Sequence, residues 1–348
     1  MNRNLSQFLT ILLLLALYTT GGCAQEGEPQ KTENFKTQAA LGMAITPQNF
    51  PSHSALDLDH AFQTAAEIAD YAVFIYQWHA LDMRIVQQMI EKSKNAGLKP
   101  IIGLSPTTLD QGRKELDIPP HIRRKAGLSV SFANPLIRKA FKKTVKKLAR
   151  LQPPYLCLAT EINFLAMQRL TEFLHFASLY KEAYEAVKQI SPETKVFVSF
   201  QWEWMRIIDA KEPHRITEHS KVIDVFRPQL DVVGLTTYPS PFHGSPQELP
   251  HDYYLWMYRH INAKDEVLLM EVGWPTRGSG NEIEQQAFIQ YFPKLLDRVN
   301  VSVIAWALLH DVGLAEFDAD LNTVGLITNS GKKKPGYSDF KLLHDAVR

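Results

Sequence analysis

Eight short, β-rich apolar runs, each followed by a longer helical or polar stretch, limit what this 348-residue chain can build. The runs are Leu41–Thr46, Ala72–Gln77, Pro100–Leu104, Tyr155–Thr160, Lys195–Phe200, Val232–Thr237, Val267–Glu271 and Val301–Ala307. Each is nearly continuous in apolar residues rather than alternating, as expected of a parallel strand covered on both faces. Between them lie helix-like segments such as Met83–Asn95, Pro135–Leu151, Leu170–Ile190 and Glu282–Val299. Gly97 closes the first of these, and Asn134-Pro135 opens the next, which are ordinary stop and start signals. Eight successive βα units predict an α/β fold, a single-domain (β/α)8 TIM barrel over residues 40–348, rather than an open sheet.

In such a barrel the reactive groups stand at the carboxyl ends of the strands, so the last residues of each run carry the functional information. The fourth run ends in Thr160-Glu161-Ile162-Asn163 and the seventh in Glu271-Val272-Gly273-Trp274. The fifth leads into Gln201-Trp202-Glu203-Trp204, the sixth into Tyr238, the second into Trp78 and the eighth ends near Trp306. A carboxylate at the end of a buried strand is costly without a purpose. Two of them, Glu161 and Glu271, suit glycoside hydrolysis, in which one carboxyl group protonates the leaving oxygen and the other attacks the sugar. Tryptophans beside hydrogen-bonding groups suit the apolar faces and hydroxyl edges of sugar rings. Trp78, Trp202, Trp274 and Trp306 are the candidate platforms, and Glu203, Gln201, Asn163 and Tyr238 the candidate polar contacts.

The segment Glu271-Val272-Gly273-Trp274-Pro275 resembles the nucleophile motif of plant-type β-1,3-glucanases and endo-β-1,4-galactanases. Asp231 through Pro239 resembles their sixth strand, and the stretch from Trp306 to Pro335 resembles the closing part of the same retaining glycoside hydrolase clan. The resemblance implies Glu161 as acid/base, Glu271 as an ionised nucleophile held by Tyr238, Trp306 as the floor of the sugar site, and no cofactor or metal. It also implies a substrate that is a β-linked poly- or oligosaccharide. One departure stands out: the clan places an asparagine before the acid/base to bind the sugar 2-hydroxyl, and this chain has Thr160. Asn163 is the nearby residue of the right type to replace it. The departure keeps a second reading open, a catalytically inactive carbohydrate-binding lipoprotein on the same barrel.

Ahead of the barrel, Arg3 and the apolar run Phe8–Tyr18 read as a targeting segment too short to span a bilayer comfortably. Its end, Thr20-Gly21-Gly22-Cys23, resembles a bacterial lipobox. Residues 1–22 are then a lipoprotein signal peptide, Cys23 the acylated residue, and 23–39 a polar tether. The resemblance implies a membrane partner through the lipid and an extracytoplasmic, envelope-anchored location, the outer membrane in a Gram-negative host. A net charge of +1 gives no global attraction for nucleic acid, and a monomer is expected. The basic stripe from Arg138 to Arg150 reads as a solvated helix face, and His310-Asp311 as a structural pair rather than a metal site.

Overall fold

The computed structural model describes residues 39–109, 112–205, 222–259, 261–315 and 317–347. Cys23 and almost all of the tether lie outside the described residues. Nine parallel strands form one sheet: β1 (Ala40–Ala44), β2 (Tyr71–Gln77), β3 (Lys99–Ser105), β4 (Tyr155–Cys157), β5 (Lys195–Phe197), β6 (Ser199–Gln201), β7 (Val233–Thr237), β8 (Val267–Val272) and β9 (Val301–Trp306). Their lateral order is β5-β4-β3-β2-β1-β9-β8-β7-β6. Only Val198 separates β5 from β6, so the two ends of the sheet are consecutive pieces of one strand and the barrel closes through the chain itself. The eight predicted strands are therefore present, with the fifth broken in two. Its first half pairs with β4 and its second with β7.

The long helices are α1 (Ala55–Ala66), α2 (Met83–Asn95), α3 (Pro135–Ala149), α4 (Leu170–Lys188), α5 (Glu282–Leu295) and α6 (Pro335–Val347). Local chemistry starts them where they start. Ser54 and Asp57 form a reciprocal capping box at α1, Asn134 accepts from Leu136 at α3, and Asn281 accepts from Ile283 and Glu284 at α5. Gly97, at φ 80, ends α2 in a left-handed turn that a side chain would strain. On α3 and α4, Arg138 and Lys142 share Glu182, so part of the basic stripe ties two helices together.

Two apolar cores result from the strand alternation. Val73, Ile101, Tyr155, Cys157, Phe197, Leu268, Met270, Val303 and Ala305 fill the barrel interior. Their sequence neighbours, such as Phe74, Ile102, Leu156, Leu269 and Trp306, pack outward under the helices. Large interior side chains fit because small residues face them, as layered barrel packing requires. At Gly234 an added Cβ would lie 2.6 Å from the Phe197 ring and 2.8 Å from the Val198 carbonyl oxygen. Gly234→Ala should therefore cost about 1–3 kcal/mol of stability through overpacking, measured by urea denaturation. Gly103→Ala should cost less, because the atom it meets is the terminal methyl of Met270, the end of a flexible chain.

One irregularity aims the chemistry. The register of β7 and β8 runs Leu235 to Leu269 and then Thr236 to Glu271, so Met270 is an extra residue on β8. Regular alternation from Leu268 and Met270 would turn Glu271 outward. The bulge lets Met270 fill the interior while Glu271 reaches the mouth.

Candidate active site

The ends of β4, β7 and β8 build the site. From β8, Glu271 accepts a hydrogen bond from the Tyr238 hydroxyl at 2.7 Å through Oε2. Its other oxygen is buried without a hydrogen-bond partner. Beyond β4, Glu161 accepts from the Thr236 hydroxyl at 2.7 Å and from Arg113 Nε at 2.7 Å. Its backbone N–H donates to Ser199 Oγ at 3.0 Å. Thr236 and Tyr238 are two residues apart at the end of β7, on the same side of the chain and about 7 Å from one another by strand geometry. That single strand end thus holds both carboxyl groups. Glu161 itself has φ 50, a left-handed conformation unusual for a residue of its size, and such strain concentrates where a side chain must be aimed.

The electrostatics of Glu271 follow from its surroundings. Burial raises Glu271 most, the nearby Glu161 charge raises it further, and the Tyr238 hydrogen bond and the Arg113 charge pull it back, leaving it at about 7. Burial and the Glu161 charge thus work against the ionised Glu271 expected from the sequence, while Tyr238 and Arg113 work for it. Tyr238 is pushed well above its ordinary range by burial and then by Glu271, so it remains a hydrogen-bond donor.

The polar contacts expected from the sequence are mostly internal scaffolding. Glu203, 2% exposed, accepts from Gln201 Nε2 (2.7 Å), the Tyr253 hydroxyl (2.9 Å), the Tyr238 backbone N–H (3.0 Å) and the Thr237 hydroxyl. Burial raises its pKa, and the Thr237, Tyr238 and Tyr253 donors lower it. It therefore holds the chain on which Tyr238 stands, instead of facing a sugar. Asn163 clamps the Gln201 backbone through both side-chain atoms, Oδ1 accepting at 2.9 Å and Nδ2 donating at 3.2 Å. Neither it nor Gln201 is free for a 2-hydroxyl. Glu203→Gln would set an NH2 group among donors. It should cost about 1–3 kcal/mol of stability and slow hydrolysis by loosening Tyr238, seen as a fall in kcat exceeding any rise in KM.

The tryptophans are corrected more sharply. Trp78, Trp202, Trp274 and Trp306 are all at most 2% exposed. Trp306 follows inward-facing Ala305, so parity turns it outward, onto Phe288 and Phe340, with its N–H donating to the Val324 carbonyl at 2.7 Å. Trp274 packs on Phe288, Trp78 on Phe141, and Trp202 between Tyr254 and Trp256. None of them offers a face to a sugar. Trp204 is half-buried at this end, edge-on to Phe164 and Phe242, whereas Tyr76 follows Phe74 outward and stacks on it under the helices. The His310-Asp311 pair is structural, as expected: His310 bonds Thr46, and Asp311 pairs with Lys334.

Sequence reasoning missed Arg113, Thr236 and Ser199. Arg113 sits in a polar loop near Arg123 and Arg124, and no local pattern distinguishes it from them. Only the fold reveals that it turns inward.

No protein-family model and no curated protein sequence matches this chain. Solved structures do. An exo-β-1,4-mannosidase from Opitutaceae bacterium strain TAV5 superposes with a TM-score of 0.66 at 13% identity, over 88% of this chain and 59% of its own. A GH5_18 protein from Streptomyces cattleya in complex with Manβ1-4GlcNAc gives 0.66 at 18% identity, over 89% of this chain and 81% of its own. Xylanase 10B from Thermotoga maritima gives 0.64 at 13% identity, over 89% and 96%. The fold is one that glycoside hydrolases share. The chain spans less than two thirds of the mannosidase, and at these identities the likeness concerns the barrel alone.

Proposed function

We propose that this chain is a retaining glycoside hydrolase acting on a β-linked poly- or oligosaccharide. The observation that carries this reading is the pair Glu161 and Glu271, held from one strand end by Thr236 and Tyr238. Glu161, in its protonated form, gives a proton to the glycosidic oxygen. Glu271, ionised and steadied by Tyr238, attacks the anomeric carbon to form a covalent glycosyl-enzyme, and Glu161 then draws a proton from water to release the sugar with retained configuration. The half-buried Trp204 takes the place of the buried tryptophans as the aromatic open to a sugar. The β-1,4-mannosidase and the Manβ1-4GlcNAc complex among the structural neighbours, with the galactanase-like nucleophile segment, support a β-linkage. Acylation of Cys23 would tether the enzyme to an envelope membrane; metabolic labelling with a lipid probe, lost in Cys23→Ser, tests that part.

The enzymatic reading is tested with β-glucans, β-galactans, β-mannans, β-xylans and aryl β-glycosides. Glu161→Gln should lower turnover about 10²–10⁴-fold, the usual contribution of a general acid. Azide should rescue Glu161→Ala as a glycosyl azide of retained configuration. A panel bound but never hydrolysed by the unaltered chain would instead establish the inactive binding protein, the alternative that Thr160 keeps open.

A further inference from the structure

Arg113 is held at the mouth by more than its own contacts. It lies in the stretch after β3, near the antiparallel Thr107–Leu116 bridge and the Thr108 N–H donating to the Glu115 carbonyl at 3.0 Å. Its φ of 44 is left-handed. The carbonyls on either side are anchored to the neighbouring helices, Gly112 by Gln168 at 2.5 Å and Lys114 by Arg169 at 3.3 Å. These contacts fix the backbone from which the Arg113 side chain reaches the site.

Its donors are unequally used. Nε is given to Glu161 and Nη1 to Ser105 Oγ at 3.1 Å. Nη2 makes no hydrogen bond among the described residues, although the side chain is only 9% exposed. The charged and titratable groups around the pair are Glu271 and Tyr238, with Ser105, Thr236 and Ser199 as neutral neighbours.

This arrangement conflicts with acid catalysis unless something else pairs with Arg113. A protonated Glu161 no longer neutralises it, and a buried cation that loses its directly bonded counterion is disfavoured. Glu271 feels its charge, but that carboxylate is bonded to Tyr238 and must turn to the anomeric carbon. An incoming anion would satisfy the guanidinium, use the idle Nη2, and release Glu161 to take up a proton. A fork of donors fits a carboxylate or sulfate best.

We infer that Arg113 is a specificity-determining residue that selects an acidic glycan, one whose sugar beside the scissile bond carries a carboxylate or sulfate that takes Arg113 from Glu161. The inference rests on the glycosidase reading for its mechanism, but its test reads binding.

The test uses Glu161→Gln, which removes the charge that neutralises Arg113 and slows turnover. Calorimetric titration compares a β-linked oligosaccharide containing glucuronate, its carboxyl-reduced counterpart and a sulfated counterpart. At least one anionic member should bind about 10- to 100-fold more tightly than the reduced one, the return on a charge-assisted hydrogen bond. The tighter of the two names the anion. The preference should vanish in Glu161→Gln/Arg113→Met and survive in part in Glu161→Gln/Arg113→Lys, with folding checked by circular dichroism. Equal affinity for neutral and acidic members, a preference that outlives Arg113→Met, or no binding of any member would overturn the inference. An acidic preference in binding without hydrolysis by the unaltered chain would leave the inference standing and remove the glycosidase reading.

Discussion

Glu271→Gln should make the protein more stable at pH 8 while its hydrolysis disappears. In the folded chain Glu271 titrates near 7, raised from 4.5 chiefly by burial. Below about pH 4.5 the carboxyl is protonated in both folded and unfolded chains, and glutamine gains nothing. Between 4.5 and 7 the unfolded chain loses its proton first, so the stability contributed by the protonated folded form drains away as pH rises. Above 7 the folded chain carries the whole cost of a half-buried charge. A shift of that size corresponds to about 3 kcal/mol, and the opening of the site to solvent places the gain toward about 2 kcal/mol. Denaturation of both proteins at pH 4.5 and pH 8 measures it. Equal stability at pH 8 would mean that Glu271 is already well solvated. Glutamine still accepts the Tyr238 hydroxyl, so a gain reports removal of charge rather than rearrangement.

Lys334→Met should have the opposite sign and a larger size. The Lys334 ammonium, buried at the start of α6, donates to Asp311 Oδ1 at 2.7 Å, Thr276 Oγ1 at 2.8 Å and the Thr323 carbonyl at 3.0 Å. Those three partners lie on the loops that follow β8 and β9, so one cation stitches together that side of the mouth. Burial lowers Lys334 and raises Asp311, and their mutual attraction opposes both shifts. Removing the cation alone leaves Asp311 uncompensated, which costs about 3–5 kcal/mol in such pairs and about 5–10 °C in Tm for a domain of this size. The double change Lys334→Met/Asp311→Leu should recover part of the loss. A single variant within about 1 kcal/mol of the unaltered chain would show that the loops, not the ion pair, hold this corner.

The barrel was legible because a parallel strand covered on both faces writes itself as an apolar run, and eight such runs leave few topologies. Glu161 and Glu271 were legible because they end two of those runs. The tryptophans were not, since a run apolar on both faces does not say which neighbour points inward. Trp306 turns outward only because Val303 and Ala305 line the interior, a matter of register. The extra residue at Met270 and the break at Val198 likewise depend on pairing with distant strands. Arg113 lay furthest from view: its meaning comes from a contact 48 residues along the chain.

Cys157, part of the barrel's interior filling, makes the closed barrel its own reporter. The thiol is fully buried, and desolvation pushes it to about 12, so almost no thiolate is available to a reagent near neutral pH. In a chain beginning after Cys23 it is the sole cysteine. An aromatic disulfide reagent can then be consumed only as fast as the strands part. Its colour change would serve as a clock for spontaneous opening, with no label added. The same silence leaves the surface clear: one cysteine engineered at any exposed position would carry a dye or a crosslinker without competition.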